Sequence, residues 1–243
     1  RPGVVSDNSH LASGNSLFSR PQYEWLTNGM LASQQQGKRW RLLINQTWMT
    51  SELTRWADYP EERQQLFQFL RGENTAAQRV HNNIVVSGDM HGNWGADLVE
   101  KDLANYTSGG VAANPLNGST PENSAAGFFR DSTANTAVDN ARAASVGVEF
   151  APTSMGRGGF DEIIANSSPD SSFEEQVSAS RTTERGLMGI TPACQFVEWV
   201  DHGYGIVHLT EDAATFEYWW QDKLTPESPD VLGNQMIAFA ADN

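Results

Sequence analysis

The feature that most constrains this chain is a short apolar run that ends abruptly in polar chemistry. Asn83-Ile84-Val85-Val86-Ser87 is β-branched and apolar at adjacent positions, the pattern of a strand covered on both faces. It runs straight into Gly88-Asp89-Met90-His91-Gly92. Upstream, Trp40-Arg41-Leu42-Leu43-Ile44 reads as a second short strand, with Asn45 and Gln46 at its end. Between them, Pro60 to Arg71 reads as a helix. Proline opens it, Glu61 and Glu62 lie in the first turn, Leu66, Phe67 and Leu70 share a face, and Arg71 and Gly72 mark the stop. Strand, helix, strand with polar residues at both strand ends implies an α/β sheet, and in such sheets functional groups gather at the carboxyl ends of the strands.

The flanking segments extend this pattern. Residues 1–20 are polar and read as a loop, after which Pro21 opens a helix carrying Trp25, Leu26, Met30 and Leu31 at helical spacing. Residues 104–145 are rich in Asn, Thr, Ser, Ala and Gly, with few large apolar groups beyond Phe128 and Phe129. They predict a polar insertion or lid loop within one domain spanning 1–243. Val146 to Phe150 returns to strand character, and 153–180 reads as a polar stretch ending in a short helix. Phe196–Val200, Gly205–Leu209 and Thr215–Trp220 then read as successive strands, followed by Ile237–Phe239. No internal repeat is present.

Composition narrows the function. Of 243 residues, 39% are hydrophobic and 19% charged, which suits a folded domain. The formal net charge of -14 repels phosphate backbones and argues against general nucleic-acid binding. It does not exclude a phosphoester substrate, because a bound di- or trivalent cation inverts the local field. No apolar run approaches the roughly 20 residues that cross a bilayer. The single cysteine, Cys194, excludes an intrachain disulfide framework, and without an adjacent base or a CxxC partner it makes a poor nucleophile. The first residue is Arg1 and no signal peptide is visible, so the expectation is a chain that is processed or is part of a larger protein.

The sharpest chemical feature is Ser87-Gly88-Asp89-Met90-His91-Gly92-Asn93-Trp94. A carboxylate and an imidazole two residues apart, just past a buried strand, can face one ion, and O and N donors together suit Fe, Mn or Zn. Alone, Gly-Asp-x-His is equally compatible with a loop capped by Asp and bearing a surface His. Gln46 offers a neutral oxygen ligand or a substrate hydrogen bond, although a lone amide more often satisfies loop backbone. Asp58, in Trp56-Ala57-Asp58-Tyr59, fits a helix N-terminus better than a catalytic carboxylate. His202-Gly203-Tyr204 fits a turn whose tyrosine packs over the sheet, and His10, His81 and His208 are incidental. No phosphate-binding glycine loop or nucleophile elbow occurs.

Six segments, in order, resemble the PhoD family of alkaline phosphatases and phosphodiesterases. They are Gln22–Leu26, Trp40–Met49, Trp56–Leu66, Ile84–Trp94, Val148-Glu149-Phe150 with Thr153-Ser154, and Phe196–Trp220. Trp56-Ala57-Asp58-Tyr59 departs from the family's Trp-Asp-Gly-Tyr, and the region 107–145 is expanded. The resemblance implies an α/β (α+β) fold: a two-sheet, calcineurin-like metallophosphoesterase sandwich flanked by helices, of which this chain carries the C-terminal half. It implies Asp89 and His91 as metal ligands and catalytic residues, Gln46 as a further ligand, and Asn45 with Gln46 toward the substrate. It also implies two cations, Fe with Ca, or Mn or Zn in their place.

The family's early Asp, Gly-Asp-x-x-Tyr and Asn or Asp-His segments have no counterpart here. A second chain or segment carrying the N-terminal half is therefore expected, and the family's habit implies a secreted or periplasmic setting. The activity implied is metal-dependent phosphoester hydrolysis. The rival is a structural or assembly subunit that kept the fold and lost the chemistry. A carbohydrate- or matrix-binding module rests only on the eight Trp and the Asn-rich loops.

Overall fold

The computed structural model describes residues 16–50, 55–73, 79–99, 111–113, 128–130, 145–191, 193–225 and 227–241. Helix α1 (Arg20–Gln35) starts at Ser19, whose side chain accepts a hydrogen bond from the Gln22 N–H, with proline in the first turn. It leads to β1 (Arg41–Ile44), a 3-10 turn at Arg55–Asp58 and α2 (Pro60–Arg71). The α2 limits are those its sequence announces, and Gly72 closes it in the left-handed conformation at φ 78°. Strands β2 (Asn83–Val86), β3 (Asn93–Asp97), β4 (Val111–Ala113), β5 (Phe128–Arg130) and β6 (Val148–Ala151) follow. Helices α3 (Phe160–Ser167) and α4 (Phe173–Ile190) precede β7 (Cys194–Glu198), β8 (His202–Leu209), β9 (Ala213–Gln221) and β10 (Val231–Phe239).

Among the described residues, seven strands form one sheet in the order β1-β2-β6-β3-β7-β5-β4, and the last three strands form a second sheet in the order β10-β9-β8. β1, β2 and β6 run parallel; the other pairings are antiparallel. The three-stranded sheet packs on one face of the larger sheet. Its Phe216, Tyr218 and Trp220 meet Ile84, Phe150 and Phe196 in a fully buried cluster. Gly95 permits this close approach, since a Cβ there would lie 2.2 Å from the Met236 sulfur. The opposite face is covered by helices. α1 and α2 bury Leu43 and Val85 among Met30, Leu66, Phe67 and Leu70, while α4 sets Leu187 and Met188 against Trp94, Cys194 and Val197. The result is the expected mixed α/β fold with two sheets and flanking helices.

Two sequence expectations need correction, and a third is described only in part. Residues 153–180 hold not one short helix but α3 and the start of the 18-residue α4. The buried stripe of α4 runs Val177, Ser180, Arg181, Glu184, Leu187, Met188. Its spacing is helical, but half its members are polar, so a hydrophobic pattern does not reveal it. Ser172 and Glu175 form a reciprocal capping box that was the legible start signal. The last strand is β10 with nine residues, not the three of Ile237–Phe239. The polar segment 104–145 contributes β4 and β5 as a hairpin on the sheet edge beyond β7; the rest of that expectation lies outside the described residues.

Candidate functional site

The in-register parallel pairing of β1 and β2, with Ile44 opposite Val86, ends both strands side by side. Asn45 N–H donates to the Val86 carbonyl at 2.9 Å, and Gly88 lies so near the next residue that a Cβ on it would stand 3.9 Å from the Gln46 carbonyl. The Asn45–Gln46 and Gly88–His91 loops therefore adjoin. Asp89 and Gln46 are exposed; His91 and Asn45 are partly buried. Asn45 turns its side-chain amide onto its own loop, donating to the Thr47 carbonyl at 2.6 Å.

Asp89 and His91 both adopt the left-handed backbone region, at φ 71° and 54°. That conformation is uncommon for residues with a Cβ, costs about 1–3 kcal/mol, and persists only where the surroundings impose it.

Two buried carboxylates supply those surroundings. Glu149, in the middle of β6, is fully buried. It accepts from Met49 N–H at 2.6 Å, Thr50 N–H at 3.0 Å, Thr50 Oγ1 at 2.6 Å and Ser87 Oγ at 2.6 Å. One carboxylate thus ties the segment after β1 to the residue that enters the Gly88–His91 loop. Trp94 Nε1 donates to Thr50 Oγ1 at 2.9 Å, and Trp94 stacks on Trp48 at 4.5 Å. Burial pushes the Glu149 carboxyl up, against the four donors that pull it down.

The loop exit is fixed from the other side. Asn93 Nδ2 donates to Glu198 Oε2 at 2.7 Å, and Asn93 Oδ1 accepts from Thr153 N–H at 3.0 Å. Thr153 Oγ1 donates to the His91 carbonyl at 3.3 Å. Gly92 lies against the Trp199 indole, where a Cβ would fall 2.1 Å from a ring atom, so only glycine fits. Glu198 Oε1 accepts from Val200 and Asp201 N–H at 2.7 and 3.0 Å and from Arg181 Nη1 at 3.0 Å. Arg181 Nη1 also donates to Glu184 Oε1 at 2.6 Å, which accepts from Trp199 N–H at 2.7 Å. Burial would lower the Arg181 guanidinium, but Glu184 and Glu198 outweigh it and hold the group charged. Burial pushes Glu184 up to about 8 despite Arg181, with Glu198 adding to the rise. One guanidinium among the buried carboxylates of Glu184, Glu198 and Asp201 cannot neutralise them all, and Glu184 is the one pushed up to about 8.

Among the sequence candidates, Asp89, His91, Asn45 and Gln46 thus stand on two adjoining strand ends. Among the described residues, no three His, Cys, Asp or Glu side chains converge as a ready metal site, so Asp89 and His91 form at most part of a ligand set. Asp58 is exposed and is not the cap of α2; that position is Tyr59, which makes no side-chain cap bond. His202, Gly203 and Tyr204 start β8 rather than forming a turn; His202 meets Glu162 at 3.2 Å, and the Tyr204 hydroxyl donates to Asp230 at 3.0 Å. Cys194 is buried in the core. Trp25 of α1 is 74% exposed. No described helix is long and apolar enough to cross a membrane.

Sequence reading gave no role to Glu149, Asn93, Thr153, Arg181, Glu184 or Glu198. The available signal was a glutamate between Val148 and Phe150 in an apolar strand, a position where a charge is tolerated only if it is fully hydrogen-bonded.

The architecture defines a mixed α/β protein whose candidate residues Asn45, Gln46, Asp89 and His91 stand past the carboxyl ends of parallel strands. The family model described as PhoD-like phosphatase matches residues 5–218, and the chain belongs to that family. A solved chain described as "Structure of PhoD" has the same fold, with a TM-score of 0.57 at 16% identity. The likeness covers 93% of this chain and 34% of that one, so this chain spans about a third of the length of the solved protein. No curated protein matches the sequence.

Proposed function

We propose that this chain carries part of the active site of a metal-dependent phosphoester hydrolase. The observation behind this reading is the pair of left-handed residues, Asp89 and His91, on a loop anchored at both ends next to the Asn45–Gln46 strand end. Strain held in place by buried carboxylates indicates that the loop is built to present those two side chains. A carboxylate oxygen and an imidazole nitrogen fit Fe, Mn or Zn. A cation held there would neutralise charge building on the phosphoryl oxygens and lower the pKa of an attacking water.

In this reading Asp89 contributes a carboxylate oxygen and His91 an imidazole nitrogen. Gln46 adds an amide oxygen from the neighbouring strand end. Asn45 shapes that loop through its bond to Thr47. Glu149 and Asn93 hold the loops in register without touching substrate. Two donors do not make a catalytic metal site, so this reading requires further ligands beside Asp89, His91 and Gln46.

The rival reading, a subunit that kept the fold without the chemistry, is favoured by one observation: no three ligating side chains converge among the described residues. Metal analysis of the purified assembly separates the two. The hydrolase reading expects one to two metals per assembly, hydrolysis of an aryl phosphoester, and loss of both in Asp89→Ala and His91→Ala. An assembly without stoichiometric metal, or one whose hydrolysis survives both substitutions, would sink it.

A further inference from the structure

Three strands of the larger sheet run parallel, and the candidate site uses the ends of two of them. β2 lies between β1 and β6. Asn45 and Gln46 leave β1 on one side of the Gly88–His91 loop, and residues 152–159 leave β6 on the other. Ser87 N–H donates to the Phe150 carbonyl at 2.9 Å, so β6 stays paired with the chain up to the entry of the His91 loop. Ligands of open α/β sheets sit in the crevice outside the carboxyl ends of adjacent strands, and the β6 loop flanks that crevice as the β1 loop does.

Residues 152–159 are fastened at both ends. Thr153 N–H donates to Asn93 Oδ1 at 3.0 Å, and Thr153 Oγ1 donates to the His91 carbonyl at 3.3 Å. The Ser154 carbonyl accepts from Gly203 N–H at 3.1 Å, and Phe160 N–H donates to the Trp199 carbonyl at 2.9 Å. Between these anchors Met155, Gly156 and Arg157 are exposed. The Ser154 hydroxyl accepts from Arg157 N–H at 2.8 Å and from Gly156 N–H at 3.3 Å. This local turn fixes the backbone from which the Arg157 side chain departs.

Among the described residues, the Arg157 guanidinium makes no hydrogen bond or ion pair. The acids that follow it in the chain have other partners. Asp161 takes Lys223, and Glu162 takes the Gly159 N–H and, at 3.2 Å, His202. Other arginines are used within the fold, on glutamates at Arg20, Arg71 and Arg181 and on backbone carbonyls at Arg39, Arg63 and Arg79. The Lys38 ammonium is also unpaired among the described residues, but Lys38 precedes β1, at the opposite end of the sheet. In a chain of net charge -14, an exposed arginine without a counter-ion, on a loop tied to His91, is a local attractor for an anion.

We propose that Arg157 is a substrate-binding residue that grips the phosphoryl oxygens from the β6 side, opposite Asn45 and Gln46, and favours phosphomonoesters over phosphodiesters. The inference rests on the phosphatase reading and names the substrate class of that site. A guanidinium presents a planar fork of N–H donors that matches two phosphoryl oxygens at once, which an ammonium does only as a point charge. A phosphomonoester carries up to about two negative charges near neutral pH, and a diester about one. The same cation therefore attracts the monoester more strongly. Arg157 stands outside the loop anchors, so its work is on the ligand and not on the fold.

The test compares Arg157→Ala, Arg157→Lys and Lys38→Ala in the purified assembly. The substrates are p-nitrophenyl phosphate and bis(p-nitrophenyl) phosphate, with inorganic phosphate as inhibitor. Arg157→Ala is expected to raise KM for the monoester and Ki for inorganic phosphate about tenfold or more, and KM for the diester clearly less. Melting temperature and metal content should stay at wild-type values. Arg157→Lys should recover part of the loss, and Lys38→Ala should leave all three constants within about twofold of wild type. A monoester KM unchanged in Arg157→Ala, equal losses on the two substrates, or an equal effect of Lys38→Ala overturns the proposal. A lower melting temperature or lost metal in Arg157→Ala would mean that Arg157 holds the loop, and overturns it as well.

Calorimetric titration with inorganic phosphate separates this inference from the phosphatase reading. If the wild-type assembly hydrolyses neither substrate, the hydrolase falls. Phosphate that still binds wild type about tenfold more tightly than Arg157→Ala then keeps the anion site, and equal or absent binding removes that too. Hydrolysis that survives Arg157→Ala with unchanged constants leaves the hydrolase and removes the role of Arg157.

Discussion

Two buried acidic centres brace the candidate site, and they are satisfied in opposite ways. Glu149 sits among neutral donors: two backbone N–H groups and two hydroxyls. Glu184 and Glu198 sit against a guanidinium, with backbone N–H groups filling the remaining positions. The first joins two strand-end loops across the sheet; the second joins helix α4 to the β7–β8 turn and, through Asn93, to the far end of the His91 loop. A neutral cradle fixes geometry through the direction of each donor. A charged one holds through Coulomb attraction that must offset the desolvation of the buried ions. The Glu149 centre should therefore govern the site, and the Arg181 centre should govern stability.

The largest effect should come from removing the cation. Arg181→Met removes the counter-ion of the buried Glu184, Glu198 and Asp201 carboxyls, and breaking a buried pair from one side costs about 3–5 kcal/mol. Chemical denaturation should show a midpoint loss of that order with an unchanged slope. A cost under about 1 kcal/mol would mean that the two glutamates share a proton readily and that the ion pairs add little.

Glu149→Gln should cost less, about 1–3 kcal/mol, because the shape is kept while an amide N–H now faces a donor. Its effect on the site should be out of proportion to that figure. Ser87 and the Met49–Thr50 backbone lose their shared acceptor, so metal retention and phosphoester hydrolysis should fall at least tenfold while the protein remains folded. Arg181→Met, assayed where it is still folded, should retain more activity than Glu149→Gln. The reverse order would overturn the division of labour between the two centres.

How much of this was legible follows from the same contrast. The β1–α2–β2 unit was readable because its signals are local: a β-branched run, a proline start and a glycine stop. Ser87 to Trp94 was readable as a motif, since Asp89 and His91 are ion-binding residue types at a tight spacing. Neither buried centre was readable. Glu149 lies 62 residues from Ser87 and about 100 from Met49 and Thr50, so its partners are set by sheet order, not by sequence proximity. Helix α4 was hidden for a related reason. Arg181 and Glu184 occupy core positions that hydrophobic periodicity scores as surface, and they are buried only because Glu198 and the Trp199 amide arrive from another strand. The exposure of Leu42 and Ile44 was illegible too, because they look like any buried strand residues until β1 is seen to end the sheet among the described residues.

The charged centre also predicts a pH signature. Glu184 in the folded protein is held up to about 8, above the roughly 4.3 of an unfolded glutamate. The folded state thus binds the proton more tightly, and stability falls as pH rises from about 4 toward 8. Glu184→Gln cannot ionise and removes this dependence. Between pH 5 and 8 the wild-type melting temperature should decline relative to that of Glu184→Gln. Parallel curves would mean that Glu184 is ionised throughout and that Arg181 satisfies both carboxylates.

The smallest effect should have the opposite sign. Asp89 and His91 occupy left-handed backbone, which glycine adopts without penalty. If the two side chains serve chemistry rather than the fold, Asp89→Gly and His91→Gly should each stabilise the chain, by up to about 1 kcal/mol, while metal binding is lost. The anchoring side chains are those of Ser87, Asn93 and Thr153, the last reaching the His91 backbone carbonyl, which glycine would keep. Thermal unfolding decides the matter without any assay of activity. A rise in melting temperature marks the loop as strained for function. A fall of similar size would mean that Asp89 caps the loop and His91 packs on it, the reading that the bare Gly-Asp-x-His pattern equally allows, and the case for a metal at this strand end would weaken accordingly.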